Sequence, residues 1–358
     1  MSASTHSLDF AGIIFYIGID VHLRQWTVTV RDAERELKTF SMDPSPAQLF
    51  DYLTKRYPGG TYYSVYEAGF CGFWIHRQLC ELGIQNIVVN PADVPTRAKE
   101  RTNKNDKADS RQLARELTNK DALVPIYVPS EAQQQIRSLC RLRFRNQQSC
   151  TRVQNRILSL LHYLGHPMPP TKDVSRWSGR FLQWLEGVAF SHPAGQQTLR
   201  FHLQELKELR QRRLEIMRQL RHYSRTPEYA PIFKSIHSVS GIGFITAITL
   251  MTELICMRRF RTFDQLACFV GLIPAEHSSD GHDSASGITP RRNKYLRTLL
   301  IEAAWVAIRE DPALTHAFYE LIRRMKPQRA IVRIAKKLLR RIRHVWLNQT
   351  VYITAVVK

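Results

Sequence analysis

Four acidic side chains lie where this sequence could bring carboxylates together. Asp20 ends one short apolar, β-rich run, and Glu67 ends another. Asp106 and Asp109 are three residues apart at the start of a helical pattern, so they share one helical face. Four such carboxylates could hold two divalent ions about 4 Å apart, an arrangement that activates a nucleophile and stabilises a leaving oxygen in phosphoryl transfer.

Each acid also has an ordinary structural explanation. A strand-end carboxylate such as Asp20 or Glu67 is commonly an exposed or turn residue, because burying it without a partner is costly. Asp106 and Asp109 suit the positive end of a helix dipole and could act only as caps. The metal-site hypothesis therefore depends on the fold bringing all four acids to one place.

Residues 12–122 alternate between strand-like and helix-like patterns. Three β-rich runs come first, and helix, strand, helix, strand and helix follow, which is an α/β order. In an RNase H-like architecture the strands that end at Asp20 and Glu67 would lie side by side, so both carboxylates would reach one sheet edge. We therefore expect an α/β domain over 12–125, with a linker around the two prolines of 124–129.

The rest of the chain is predominantly helical. Long helical patterns at 131–166 and 196–225 are rich in Leu and Arg. They predict a coiled-coil linker over 130–228 that could join two copies of the chain, and a packed helical bundle is an equal alternative. We expect a third, mainly helical domain over 229–358, with a polar, Ser-rich loop at 271–289.

Charge is distributed unevenly along the sequence. The chain has 52 Lys and Arg against 31 Asp and Glu, a net charge of +21. Residues 1–130 contain 15 basic and 15 acidic side chains, so the entire excess lies in the remaining 228 residues. A basic region joined to a neutral one predicts a polyanionic partner, whereas a soluble protein that is merely basic is the alternative.

Other protein classes receive no support from the composition. No apolar run is long enough to cross a bilayer, and residues 1–10 lack the regions of a signal peptide. The six cysteines form no CxxC pair and have no histidine at zinc spacing. We expect a soluble, cytoplasmic protein with reduced thiols and no membrane partner.

Two features of the C-terminal region could contact phosphate. Gly241-Ile-Gly243 has the form of a helix-hairpin-helix turn whose N–H groups can hold a phosphate, although a close helix crossing explains it as well. Basic side chains that contact the phosphates of a nucleic acid fix its position but carry little information about its base sequence. The basic residues that follow the Ser-rich loop are Arg291, Arg292, Lys294 and Arg297.

Three aromatic residues follow Glu67 closely. Phe70, Phe73 and Trp74 could stack on nucleic-acid bases. Their position at the start of an apolar helix favours packing in the core instead.

The ordered motifs resemble those of the DEDD-type transposases of bacterial insertion sequences, the family numbered one hundred and ten. In the N-terminal part the resemblance rests on Gly18-Ile-Asp-Val-His22, Tyr66-Glu-Ala-Gly69, Asn90-Pro91 and Lys104-Asn-Asp-Lys-Ala-Asp109. In the C-terminal part it rests on Gly241-Ile-Gly243, Arg259-Phe-Arg-Thr-Phe263, Gly271-Leu-Ile-Pro274, His277-Ser-Ser279, Gly287-Ile-Thr289 and Asn293-Lys-Tyr-Leu-Arg297. The resemblance covers nearly the whole chain.

The resemblance implies a RuvC-like N-terminal domain, a coiled-coil linker and a C-terminal transposase domain. It implies that Asp20, Glu67, Asp106 and Asp109 form an acidic quartet that binds Mg²⁺. It further implies an enzyme that cuts and rejoins double-stranded DNA and is directed to its target by a guide (bridge) RNA. The protein would act as a dimer or tetramer in the bacterial cytoplasm, on the nucleoid when bound.

The resemblance also implies a serine nucleophile that forms a covalent phosphoserine link to DNA. Ser279 fits when the loop is counted back from Gly287 without gaps, and Ser278 is the alternative. This sequence departs from the usual pattern at Asp280 and Asp283, where glycine and basic residues are common. A free serine is a weak nucleophile, so activation by a nearby metal site would make the active site composite.

Two functions from other classes remain open at this point. The first is a metal-dependent junction nuclease that uses the acidic quartet without a covalent intermediate. The second is a non-catalytic scaffold that binds RNA or DNA. Charge does not distinguish them, because a basic C-terminal region suits all three.

Overall fold

The computed structural model describes residues 9–95, 106–119, 122–273, 278–279, 282–283 and 293–354. The chain forms two compact units, Met1–Val128 and Pro129–Lys358. A further division of the second unit near residue 228 stays a prediction.

The N-terminal unit contains a five-stranded mixed sheet. Its strands are β1 (Ile14–Val21), β2 (Trp26–Arg31), β3 (Glu36–Met42), β4 (Thr61–Glu67) and β5 (Gln85–Val89). The spatial order is β3-β2-β1-β4-β5. Strand β2 is antiparallel to both of its neighbours, β1 and β3, whereas β4 and β5 run parallel to β1. This arrangement confirms the predicted α/β class of the N-terminal domain and is consistent with an RNase H-like domain.

One face of the sheet forms the main core of this unit. Alternation along β1 places Phe15, Ile17 and Ile19 on the same side, and all three are buried. They pack with residues of α1 (Pro46–Arg56) and α2 (Trp74–Glu81). A third helix, α3 (Asp106–Thr118), contacts β1 and β2 and packs on the opposite face.

The segment expected to be a linker is partly a component of the sheet. Pro125 forms an antiparallel bridge with Val89, and the Ile126 N–H donates to the Val88 carbonyl at 2.8 Å. Ile126 and Val128 pack against the main core. Residues 125–128 therefore end the first unit beside β5, and Pro129 begins the second unit.

The second unit is mainly helical, as predicted. Its helices are α4 (Glu131–Tyr163), α5 (Gly179–Glu186), α6 (Pro193–Tyr223), α7 (Ala230–His237), α8 (Phe244–Leu254), α9 (Phe263–Val270), α10 (Leu296–Glu310), α11 (Pro312–Ile322) and α12 (Pro327–Asn348). Within the predicted Ser-rich loop, β6 (Ser278–Ser279) pairs with β7 (His282–Asp283) in an antiparallel ladder.

The two long helices α4 and α6 pack against each other in opposite directions. Arg156 contacts Glu205 at 3.2 Å, whereas Gln147, nearer the start of α4, accepts from Arg213 at 3.1 Å. Phe181 and Leu185 of α5 join the core between them. Both predicted long helical patterns are therefore helices, and we call the α4–α6 pair the helical arm. Its description as a coiled coil stays a prediction.

Helices α7–α12 surround a second, larger core. Helix α8 is buried over most of its length, and every residue from Thr246 to Leu254 is buried, including Glu253. Ala303, Ala304 and Ala307 of α10 give this core a flat face on which neighbouring elements approach closely. Cys140 of α4 and Leu220 of α6 belong to the same core.

Candidate active site

The first two predicted acids lie beside each other at one end of the parallel strands. In the β1–β4 ladder the last register pair is Ile19 with Tyr66, so Asp20 and Glu67 are the next residues on the two strands. Paired residues of parallel strands project from the same face. Both side chains are half-buried, as expected at a strand end.

Helix α3 crosses this face closely because β1 has a glycine there. A Cβ atom on Gly18 would overlap the Ser110 carbonyl and would lie 2.5 Å from the Ala114 amide nitrogen. The hydroxyl of Thr29 on the neighbouring strand β2 and that of Ser110 on α3 share a buried hydrogen bond of 2.9 Å. These contacts fix the start of α3, and with it Asp106 and Asp109, near the end of β1.

The structure brings Asp20 and Asp106 together around a histidine. His22 Nε2 lies 3.1 Å from Asp20 Oδ2 and 3.7 Å from Asp106 Oδ1. One donor atom from each of the three residues lies within 4.8 Å of the others. Within the described residues, no other group of three or more acidic, histidine or cysteine side chains is as close.

Neighbouring groups act in opposite directions on the pKa of the Asp20 carboxyl. The pKa of the Asp20 carboxyl is raised above its ordinary value, chiefly by burial. The His22 ring acts against this rise, and the negative charges of Asp106 and Asp109 increase it. Asp109 therefore lies near enough to affect Asp20 electrostatically, although it is outside the three-residue group. A cation at this place would relieve the repulsion among the carboxylates.

The donor set fits a divalent metal ion. Carboxylate oxygens are the ligands of hard divalent ions, and imidazole nitrogen is a common ligand of transition metals. Asp20, His22 and Asp106 come from two elements whose contact the Gly18 approach fixes, so their convergence is a consequence of the fold. Glu67 would face the same region from β4.

His22 is a site residue that the sequence pattern alone did not single out. It belongs to the motif Gly18-Ile-Asp-Val-His22, but the predicted metal site contained only the four acids. The available signal was the spacing, since residues two apart on an extended chain project to the same side. A histidine two positions after a strand-end aspartate therefore faces the same place.

Two aromatic residues near Glu67 contradict the core-packing expectation. Phe70 is 63 % exposed and Trp74 is 42 % exposed. Phe73, in contrast, packs partly against the main core, as expected. Phe70 lies in the turn after β4 and Trp74 is the first residue of α2, so both rings are open to solvent within seven residues of Glu67 in the sequence.

The serine segment is described in its backbone only. Ser278 pairs with Asp283, and Ser279 pairs with His282, in the β6–β7 ladder. Asp280 and Gly287 of the same loop lie outside the described residues, as do Arg291 and Arg292.

The Gly241 turn has a packing explanation. Gly241 has φ +79°, and a Cβ there would lie 2.5 Å from the Ala303 carbonyl and 2.8 Å from the Ala307 amide nitrogen of α10. Its N–H donates to the Glu310 carboxylate at 2.8 Å, so a carboxylate occupies the position expected for a phosphate. Gly243 caps α8 without a side-chain hydrogen bond, and the space beside it is open.

Two basic residues near the start of α10 differ in exposure: Lys294 precedes the helix, and Arg297 lies in its first turn. Lys294 is exposed, and its ammonium lies 5.2 Å from the centre of the Tyr295 ring. Arg297 is only 8 % exposed, because the first turn of α10 packs into the large core. Little of the Arg297 side chain is open to solvent, and its contact with a nucleic-acid phosphate stays a prediction.

Among the described residues, no helix combines the length and apolar character needed to cross a lipid bilayer.

Two family models match the chain. Residues 17–165, which include all four acids, match the model described as a transposase, the DEDD domain of the IS110 type. Residues 234–320, which include the serine segment, match the model described as Transposase IS116/IS110/IS902 family. The two matches cover parts of both compact units.

Individual relatives agree with the family models. A protein of Sinorhizobium fredii provisionally named a transposase, y4rJ, is 30 % identical over 77 % of this chain and 74 % of its own length. The transposase for insertion sequence element IS1111A of Coxiella burnetii is 27 % identical over 75 % of this chain and 73 % of its own length. The transposase for IS1533 of Leptospira borgpetersenii is 22 % identical over 81 % of this chain and 84 % of its own length.

The chain belongs to the IS116/IS110/IS902 family of transposases. It is a transposase of the insertion-sequence type, and binding to DNA follows from that membership. The DEDD domain indicates a divalent metal, in agreement with the Asp-His-Asp group.

Proposed function

We propose that this transposase cuts and rejoins DNA by phosphoryl transfer, using acids at the end of β1 and β4 and at the start of α3 together with a C-terminal serine. The observation that carries the proposal is the convergence of Asp20 and Asp106 around His22, with donor atoms within 4.8 Å. The two carboxylates are 86 positions apart in the sequence, and packing of α3 on the sheet brings them together.

Asp20, Glu67, Asp106 and Asp109 would hold the divalent metal, which we assign as Mg²⁺. Bound there, the metal would supply activation of the attacking oxygen and stabilisation of the leaving oxygen. Asp20 is half-buried, and the charges of Asp106 and Asp109 act on its carboxyl. The exposed Asp106 side chain leaves room for a DNA phosphate to approach the same place.

Ser279, or Ser278, would act as the nucleophile. Its hydroxyl oxygen would attack a DNA phosphorus and form a phosphoserine ester, while the bond from phosphorus to one deoxyribose oxygen breaks. The hydroxyl proton would pass to solvent or to a nearby base, and the released deoxyribose oxygen would leave as a hydroxyl. The match of residues 234–320 to the family supports this assignment, and metal activation would make the site composite.

Nucleic-acid binding would use the basic second unit. Arg291, Arg292 and Lys294 follow the serine segment, and the open N-terminus of α8 at Gly243 offers unpaired N–H groups. Gly241 could contribute its N–H only after Glu310 moves away. Because such contacts carry little sequence information, we propose that a guide RNA selects the target by base pairing.

Assembly would use the helical arm. The antiparallel α4–α6 pair, extended by α5, is a rigid element of the kind that joins protomers as a coiled coil. We propose a dimer, or a tetramer on DNA, in which the serine of one copy serves the acids of another.

The test is covalent capture of DNA. Purified protein with its guide RNA is incubated with labelled element-end DNA and Mg²⁺, and adducts are resolved under denaturing conditions. Ser278→Ala combined with Ser279→Ala should abolish the adducts while binding persists, whereas the control pair Ser284→Ala and Ser286→Ala in the same loop should keep them. Adducts that persist in the first pair show that the serine assignment is wrong.

The acids are tested in the same assay. Asp106→Asn should abolish recombination with normal thermal stability, because its side chain is exposed. The control Asp51→Asn, an exposed acid on α1, should retain it. Cut ends without adducts would support the junction nuclease, and tight binding with no effect of any acid substitution would support the scaffold.

A further inference from the structure

We infer that His22 is a direct ligand of the divalent ion through Nε2, so that the site has a mixed nitrogen and oxygen donor set. The inference rests on the proposed metal site and concerns which class of ion that site prefers. A first-row transition ion such as Mn²⁺ or Co²⁺ should bind more tightly than Mg²⁺.

The distances fit a shared coordination sphere. With metal–donor bonds of about 2.0–2.2 Å, neighbouring ligands of a tetrahedral or octahedral ion lie about 2.9–3.6 Å apart. Nε2 of His22 lies 3.1 Å from Asp20 Oδ2 and 3.7 Å from Asp106 Oδ1. Small side-chain movements would place one ion in contact with all three residues.

The placement of His22 supports a ligand role over a packing role. Its side chain is 54 % exposed, so the ring does not fill a core. It lies just beyond the end of β1, two positions after Asp20, and its Nε2 faces both carboxylates. The alternative is that the ring only hydrogen-bonds Asp20 and is displaced when a metal binds.

The donor chemistry predicts the preference among ions. Imidazole nitrogen is a good ligand for first-row transition ions, whereas Mg²⁺ strongly prefers oxygen. Mg²⁺ could still be held by the carboxylates alone, and His22 would then contribute little. Loss of the imidazole should therefore weaken transition ions selectively.

The decisive measurement is electron spin-echo envelope modulation of Mn²⁺ bound to the full-length protein. A directly bound histidine should give ¹⁴N modulation that changes to the ¹⁵N pattern when histidine is labelled. The modulation should be present in the wild type and in His162→Ala, an exposed histidine of α4, and absent in His22→Ala.

Metal titrations provide the second readout. His22→Ala should weaken Mn²⁺ at least about tenfold, the lower end of the loss seen when even an outer partner of a metal ligand is removed. Its Mg²⁺ affinity, measured by competition, should change less than about threefold, while Asp20→Ala should weaken both ions.

The outcomes separate this inference from the proposed function. Tight Mn²⁺ binding with no histidine modulation, or equal weakening of both ions in His22→Ala, overturns the ligand role of His22 and leaves the acidic site intact. A wild-type protein that binds neither ion overturns the metal site and this inference together.

Discussion

Arg141 of α4 and Glu253 of α8 form a bidentate ion pair, with Nε and one terminal nitrogen donating to the two carboxylate oxygens at 2.7 and 2.8 Å. The Glu253 side chain is 2 % exposed and accepts a further hydrogen bond of 2.8 Å from Asn293. The buried Glu253 carboxylate thus joins α4, α8 and Asn293, which lies three residues before α10.

Removal of Arg141 should destabilise the second unit strongly. Arg141→Ala leaves a buried carboxylate without its main partner, and we expect a loss of about 3 kcal/mol or more in the free energy of unfolding. The matched control is Arg156→Ala, whose partner Glu205 is 43 % exposed and which should cost no more than about 1 kcal/mol. Urea unfolding of both variants provides the measurement, and equal losses would contradict the structural role of Glu253.

Gly18→Ala should separate α3 from the sheet. The added Cβ meets backbone atoms of Ser110 and Ala114, which cannot rotate away. We expect a loss of about 1–3 kcal/mol in stability, together with weaker Mn²⁺ binding because Asp106 moves away from Asp20. Gly69→Ala is the control, since its Cβ would approach no atom closer than 4.0 Å. Unchanged metal affinity in Gly18→Ala would show that α3 does not position the site.

Tyr352 should make stability depend on pH in the alkaline range. Burial, with the hydrogen bond to Asp311 adding to it, raises the pKa of Tyr352 from 10.0 to about 12. The unfolded chain then ionises first, so this contribution is complete below pH 10 and is lost as the pH rises toward 12.

The Tyr352→Phe variant tests this dependence. It removes the 2.6 Å hydrogen bond to the fully buried Asp311, so at about pH 8 it should be less stable by about 1–3 kcal/mol. The difference from the wild type should shrink between pH 10 and 12, as followed by urea unfolding. The exposed Tyr319→Phe should match the wild type at about pH 8. If the difference in unfolding free energy between Tyr352→Phe and the wild type stays constant from pH 10 to 12, the raised pKa of Tyr352 is contradicted.

Phe70 and Trp74 should contribute to binding of unpaired nucleic acid. Their rings are exposed beside the β4 end, and each stacked base is worth about 1–3 kcal/mol when its aromatic partner is removed. Phe70→Ala should weaken single-stranded oligonucleotide binding by this amount without lowering the melting temperature. Phe201→Ala, 75 % exposed on α6, should leave affinity unchanged. Fluorescence anisotropy provides the measurement. Equal affinities of the Phe70→Ala and Phe201→Ala variants would show that the Phe70 ring does not stack on a base.

The sequence by itself determined the local elements and the candidates at their ends. Short apolar, β-rich runs predicted the strands β1 and β4. A serine before a proline is typical of a helix start, and the Ser45 hydroxyl accepts from the Gln48 N–H at the start of α1. Both are short-range effects, since each residue's face or cap depends only on its near neighbours. The same local reasoning placed Asp20, Glu67 and Asp106 at the ends of elements.

Only the tertiary structure decided which of these residues meet. His22 became a site residue because α3 packs over Gly18 and brings Asp106 to it, a contact between segments that no local pattern encodes. Long-range packing also decides that Arg297 is buried and Phe70 is exposed, because exposure depends on what packs against a side chain. Local sequence sets the direction of a side chain, whereas long-range packing sets its surroundings.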